Sequence, residues 1–360
     1  FTTTRNTVAT RVNENGLIEE VAANVPRLDY SDGGCPSLLL ENSSTNLVTY
    51  SEDLNTYLVN KTDTTITDNY GISPSGQVNS SRIQFADATS FCYNSINIST
   101  EHTASAYVKG TSGETVRFGM GANVTTGGLF TFNGLWQRIE YTSSSASQIF
   151  FSSYGGATTT DFEAFGAQLE QNSYSTSYIK TVGTAQTRSA DTANGAGNAS
   201  TFNDSEGVLM AEINYQNIQT SWTGFGLTDG NASADRIIFA TQANTNNFKI
   251  YLQSGGTVRW NPNVVLNEIN QFQKIAVKYK SNDVSLWMNG FEVASDNTVS
   301  IMPTGLDSLG FFGYSNIEPT YGNTKQIQYF DSALNDSDLE KITSWTSFTA
   351  MANGQSYTII

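Results

Sequence analysis

The chain holds one histidine, His102, and two cysteines, Cys35 and Cys92, so few catalytic constellations are open to it. Any Ser-His-Asp or Cys-His arrangement would have to use His102. A histidine-rich metal site is excluded. His102 stands in STEHTASAYV near a strand start and reads as a surface or edge-strand residue. The cysteines lie 92 − 35 = 57 positions apart without CxxC spacing, which excludes zinc. They either pair or remain thiols. Free thiols are preferred, because a lone cysteine behaves as a small core hydrophobe.

Aromatic residues offer more. Sugars present apolar C–H faces that lie on Trp and Tyr rings, while Asn, Asp and Gln take their hydroxyls. Trp136 in GLWQRIEYT and Trp287 in SLWMNG sit inside alternating patterns and read as core. Trp222 in NIQTSWTGFG falls on a loop or strand end, and Trp260 ends a strand before Asn261-Pro262. Tyr314 and Tyr321 flank a turn-rich stretch between strands. These last four are the expected glycan contacts. Gly127-Gly128 and Gly255-Gly256 lack a Lys or a following helix, so they are turns and not phosphate loops.

Charge narrows the partners. Eighteen Lys and Arg against 33 Asp and Glu give −15, which repels phosphate backbones and anionic membrane surfaces. Neutral glycans meet no such barrier. No apolar run approaches the roughly 18 residues that span a bilayer, so no membrane insertion is expected. No tripartite secretory signal stands at the start, and Phe1 in place of Met reads as a processed or partial chain.

Positioning such residues falls to strands. With 360 residues, the chain is long enough for two domains of about 150 residues each. Ile275, Val277 and Tyr279 alternate with lysines and Ala276, Ser281-Asn282-Asp283 reads as a turn, and Asn289-Gly290 marks a hairpin. Further strands are expected at 16–21, 26–30, 37–41, 208–215, 236–240, 248–252, 257–260 and 309–312. One helix is expected at about 336–344, capped by Asn335 or Ser337 with acidic residues in its first turns. The stretch 183–206 contains TANGAGNASTFNDSEG, a linker composition. The expected organisation is a small N-terminal β module over 1–45, a sandwich over 46–190, a linker over 191–206, a second sandwich over 207–348, and a tail over 349–360.

Particular residues then give a resemblance. Arg5 with Ala9-Thr10-Arg11-Val12, Gly16 to Glu19, Asn24 to Tyr30, Leu38 to Glu41, Thr45 to Leu47 and Tyr50 to Asp53 together resemble a module of tailed-bacteriophage virion proteins. Asn42-Ser43-Ser44 departs from it, where relatives carry a Pro and a basic residue. The stretches HTASAYVKG, GLWQRIEYT and FEAFGAQLEQNSYSTSYIKT, followed by TRSADTA, resemble a carbohydrate-binding-module-type jelly roll. FQKIAVKYKSNDVSLWMNGFEV and KQIQYFDSALNDSDLEKITS resemble a concanavalin-like, laminin-G-type sandwich. The resemblance implies an all-β fold of two tandem β-sandwiches, jelly roll then laminin-G type, with one short C-terminal helix.

The resemblance also implies calcium as a cofactor, held by loop carboxylates. The candidates are Glu52 and Asp53 near the jelly-roll start, and Asp229 and Asp235 in LTDGNASAD. Glycoside hydrolases on the laminin-G-type sandwich carry a motif close to E-x-D-x-x-E. It is missing here: Glu212, Glu268 and Glu292 stand alone, and Asp161 with Glu163 lacks a third partner. No catalytic residue is assigned. The expectation is a non-enzymatic protein of the virion surface, of fibre or capsid-decoration type. It would contact other virion proteins, form a homo-oligomer (a trimer, by analogy with fibres) and adhere to glycans. The alternatives are an accessory glycan-binding region of a secreted polysaccharide-degrading enzyme, or an architectural virion protein with no sugar ligand.

Overall fold

Segments in which β-branched and aromatic residues alternate with polar ones become antiparallel strands. The structure, a computed structural model, describes residues 1–215, 223–230, 234–242, 245–266, 270–312 and 321–345. The fold is all-β, with a one-turn helix at Leu54–Tyr57 and a longer one at Asp336–Thr343. Among the described residues no helix is long and apolar enough to cross a membrane. The chain forms two units, each built from separated segments.

The first unit, Asn6–Ala23 with Ser43–Ser189, is a sandwich of two five-stranded sheets. One sheet has the order Gly128–Thr131, Thr115–Gly121, Ala146–Ser152, Phe91–Ile98, Asn60–Thr62. The other has the order Gln137–Ser143, His102–Gly110, Asp161–Glu170, Ser81–Phe85, Thr64–Thr67. Between them Phe118, Phe151 and Phe162 stack in series, with ring centroids 4.8 and 5.4 Å apart. Ala104, Ala106 and Ala164 share this core with them, so small residues make room for the rings.

The outer face of the second sheet is covered. A bulge opposite Ser105 and Tyr107 places Gly166 at φ +64° and turns Phe165 outward. Phe165 packs there with Ile18, Tyr178, Tyr107 and Trp136, beneath the hairpin of Ala9–Val12 and Ile18–Val21. A Cβ at 166 would come within 3.2 Å of the Tyr178 ring, so glycine also suits the packing. Asn46 fastens the closing strand from within. Its Nδ2 donates to the Ala167 and Ile179 carbonyls at 3.1 and 2.8 Å, and its Oδ1 accepts from Val48 N and Leu169 N.

The second unit, Phe1–Arg5, Asn24–Asn42 and Ala190–Ile360, pairs a seven-stranded with a six-stranded sheet. The larger sheet runs Phe291–Asp296, Val284–Met288, Gln273–Lys280, Glu206–Tyr215, Gly322–Phe330, Ser37–Leu40, Arg27–Asp29. The smaller runs Thr257–Trp260, Asn247–Ser254, Arg236–Thr241, Thr223–Thr228, Ser308–Gly310, with Asn263–Val265 also on Asn247–Ser254. The expected turns form with left-handed residues, Asn282 at φ +59° and Asn289-Gly290 at φ +51° and +89°. Asn335 caps the longer helix by accepting from Asp338 N. Leu339 and Ile342 dock that helix over Val208, Met210, Ala276 and Trp287. Trp287 is therefore core, as expected, but on the helix-covered side of its sheet.

Four motif residues converge in this unit. Arg27 bonds Glu41 at 2.7 Å and also bonds Asp191, which takes Arg5 Nη1 at 2.9 Å. All four side chains are buried. Burial disfavours the Arg27 charge, but the facing Glu41 and Asp191 outweigh it and hold its pKa above the ordinary value.

Two expected boundaries are corrected. The segment 1–45 is not a module of its own: Ser37–Leu40 adds to the seven-stranded sheet beside Gly322–Phe330, whereas Ala9–Val12 belongs to the first unit. Nor is 191–206 a linker. Thr192–Asn194 pairs with Thr2–Thr4, and Phe202 is buried in the core. Its Gly, Asn and Ser residues form turns between buried anchors, which composition by itself does not separate from a tether. The expected tail, 349–360, lies outside the described residues.

Candidate functional site

In the first unit, the sheet of Phe91–Ile98 keeps an open outer face. Cys92, Ile149, Phe151, Val116, Phe118 and Met120 point into the core. Alternation therefore puts Phe91, Tyr93 and Ser95, and Gln148 beside Ser95, on the opposite face. Phe91 and Tyr93 lie with ring centroids 6.0 Å apart, and Tyr154 stands 6.2 Å from Phe91 on its other side. All three residues are half-buried.

The loop 122–127 folds over one end of this face. Ser152 Oγ donates to the Val124 carbonyl at 2.7 Å, and a Cβ at Gly127 would come within 3.0 Å of Phe150 Cζ. Phe150 is thereby sealed, although it lies on the outer side. The result is an aromatic row with a wall at one end and Asn60, Ser95 and Gln148 as polar neighbours. Gln148 Oε1 is buried without a hydrogen-bond partner, so it is sealed from the open face and the polar contacts there fall to the exposed Ser95 and the half-buried Asn60. Such a face stacks an apolar ring surface while bonding its hydroxyls, which is how a sugar is held.

The residues picked out from the sequence lie elsewhere. Trp222 and Tyr314 fall outside the described residues. Trp260 is only 8% exposed and packs in the core of the second unit. It pairs opposite Leu252, and that register turns its ring inward, so it offers no open face to a sugar. Tyr321 is half-buried just ahead of Gly322–Phe330. Trp136 is half-buried in the cluster under the hairpin, where its Nε1 donates to the Ile72 carbonyl at 3.0 Å. His102 corrects the expectation of a surface or edge residue. It is 6% exposed and opens an interior strand, with Nδ1 2.9 Å from the Thr100 carbonyl. Cys35 is an exposed free thiol and Cys92 a buried one.

Three of the four carboxylates expected to hold calcium, Glu52, Asp53 and Asp235, are engaged by protein donors. Glu52 meets Lys180 at 2.9 Å and accepts from Tyr178 Oη and Asn79 Nδ2. Asp53 instead caps the one-turn helix through Thr56 N. Burial works against the Asp53 charge, but hydrogen bonds from Asp68 and Thr56 outweigh it and lower its pKa. Asp68 is pushed up, first by burial and then by Asp53. Both Asp235 oxygens accept backbone donors, Thr304 N at 2.9 Å and Gly255 N at 3.2 Å. Asp229 N donates to the Asp235 carbonyl, a main-chain link that brings no third carboxylate. Among the described residues no three carboxylate, His or Cys side chains gather as a metal site.

The sequence reading passed over Phe91, Tyr93 and Tyr154. The signal was present in FCYNSINI, where two aromatics at spacing 2 flank a cysteine.

No protein-family model and no curated protein sequence matches the chain. Among solved structures it is similar to the CBM40 of an IT-sialidase from Ruminococcus gnavus, at TM-score 0.35 and 15% identity over 42% of this chain and 94% of that one. It is similar to domain 4 of a GH43 extracellular arabinanase from Geobacillus stearothermophilus, in complex with arabinotriose, at TM-score 0.35 and 14% identity over 43% and 73%. A heptameric SAP-like pentraxin from Limulus polyphemus gives TM-score 0.34 and 12% identity over 43% and 76%.

Proposed function

We propose that this chain is a non-enzymatic structural protein of a tailed-bacteriophage virion surface that adheres to glycans through the open face of its first unit. One observation carries the binding: Phe91, Tyr93 and Tyr154 stand in a row on the outer face of the sandwich, beside Ser95 and Asn60. The opposite sheet has its outer face closed by the N-terminal hairpin, so the fold leaves this face for a ligand. A shallow face of this kind binds weakly. Many copies on one particle convert weak binding into avidity. The virion role is supported by the N-terminal motif resemblance. Arg5, Arg27 and Glu41 of that motif join one buried network, which makes the motif a scaffold and leaves ligand contact to the sandwich face.

The test is a glycan array on the purified chain beside its Phe91→Ala and Tyr93→Ala variants, each checked for a native melting transition. Binding that disappears in the variants supports the reading. Binding that survives both moves the site elsewhere. A folded wild type that binds no glycan, presented as a multivalent conjugate, favours the architectural role. Antibodies against the chain that label intact particles would support the virion assignment.

A further inference from the structure

We infer that Arg117 is the positioning residue of the aromatic face, a latch that holds both of its bounding loops in place before a ligand arrives. The inference rests on the reading of that face as the binding site. Arg117 extends from the strand Thr115–Gly121 on the outer side, since its neighbours Val116 and Phe118 point into the core. Its three nitrogens reach three main-chain carbonyls in two separate loops. Nε donates to Tyr154 O at 3.1 Å, Nη2 to Gly155 O at 2.8 Å, and Nη1 to Gly127 O at 2.7 Å. The first two hold the turn that carries the Tyr154 ring, and the third holds the end of the wall loop 122–127.

A planar fork with fixed donor directions suits this task, and a flexible ammonium does not. No carboxylate is needed: the five strands of this sheet contain no Asp or Glu, and the guanidinium is met by carbonyl dipoles. Gly155 supplies an independent sign of close fit. It sits at φ +65°, and a Cβ there would come within 2.7 Å of Arg117 Nη2. A side chain at 155 would displace the guanidinium from its carbonyls. The turn and the fork are thus fitted to one another.

The test uses the full chain with Arg117→Ala, Arg117→Lys and Gly155→Ala. The first readout needs no ligand. Amide hydrogen exchange in 122–127 and 154–157 rises by roughly tenfold or more in all three variants, with the core strands unchanged. The second is affinity for a glycan that the wild type binds on an array. It falls roughly tenfold in Arg117→Ala, and Lys does not restore it. In a Tyr154→Ala background the further loss from Arg117→Ala largely vanishes, because the residue acts through that ring.

Unchanged exchange in both loops overturns the inference whatever the ligand result. An affinity loss that persists in full without Tyr154 also overturns it, since Arg117 would then touch the ligand or act globally. Loosened loops in a protein that binds no glycan keep the latch and overturn the reading of the face.

Discussion

Arg27 Nη1 donates to Glu41 Oε2 across 2.7 Å, with the two side chains 0% and 2% exposed. Arg27 also bonds Asp191, so residues from three distant stretches meet in one sealed cluster of two cations and two anions with Arg5. Such a cluster is weak evidence for net stability, but it is unforgiving of single changes. Glu41→Gln or Asp191→Asn leaves a buried guanidinium short of its counter-charge. Each should cost about 3–5 kcal/mol in a denaturant titration. A loss below about 1 kcal/mol would mean that water enters the cluster.

Asn46 should be as intolerant. Its side chain serves two carbonyls and two N–H groups at a site closed to solvent. Asn46→Ala strands four main-chain groups and should cost at least about 3 kcal/mol. Asn46→Asp should fare no better, because a carboxylate would face the Ala167 and Ile179 carbonyls. Recovery of wild-type stability in the Asp variant would refute this account.

The two thiols should separate in reactivity. Burial pushes the Cys92 thiol from 9.0 up to about 12, while Cys35 is exposed. At pH 8 a thiol reagent should titrate one cysteine in the native protein and two after denaturation. The sign for stability follows from the raised pKa. Unfolded Cys92 loses its proton near 9.0 and the folded thiol keeps it to about 12. The contribution is whole below the lower value and is lost as pH rises through that window. A Cys92→Ala variant should lose this part of the alkaline slope.

Trp260→Ala should behave as a core deletion and not as a binding mutation. With the ring packed in the second unit, the expected cost is about 3–5 kcal/mol. Glycan binding by the first unit should persist at temperatures where the variant stays folded. Selective loss of binding with unchanged melting would restore Trp260 as a ligand contact.

Local signals gave much of this architecture. Alternation in Lys274 to Lys280 made a strand, although the helix covers the face expected to be wet, Asn289-Gly290 made the left-handed hairpin turn, and Asn335 capped the helix. Each depends on a few neighbouring residues and on backbone sterics, which the chain carries wherever it goes. Period-2 patterning also gives every strand two faces, but it does not say which face a distant segment will cover. Trp136 and Tyr93 both lie on outer faces, and only the docking of the N-terminal hairpin makes one packing and the other platform. Trp260 turns inward because of its register against Leu252, a partner set by a bulge and not by composition. The division of residues 1–45 between units likewise follows from pairings made hundreds of positions away, such as Leu40 with Gly322. The sequence by itself determined many of the strands and turns. The tertiary structure decided which faces stay open, because burial depends on what arrives from elsewhere in the chain.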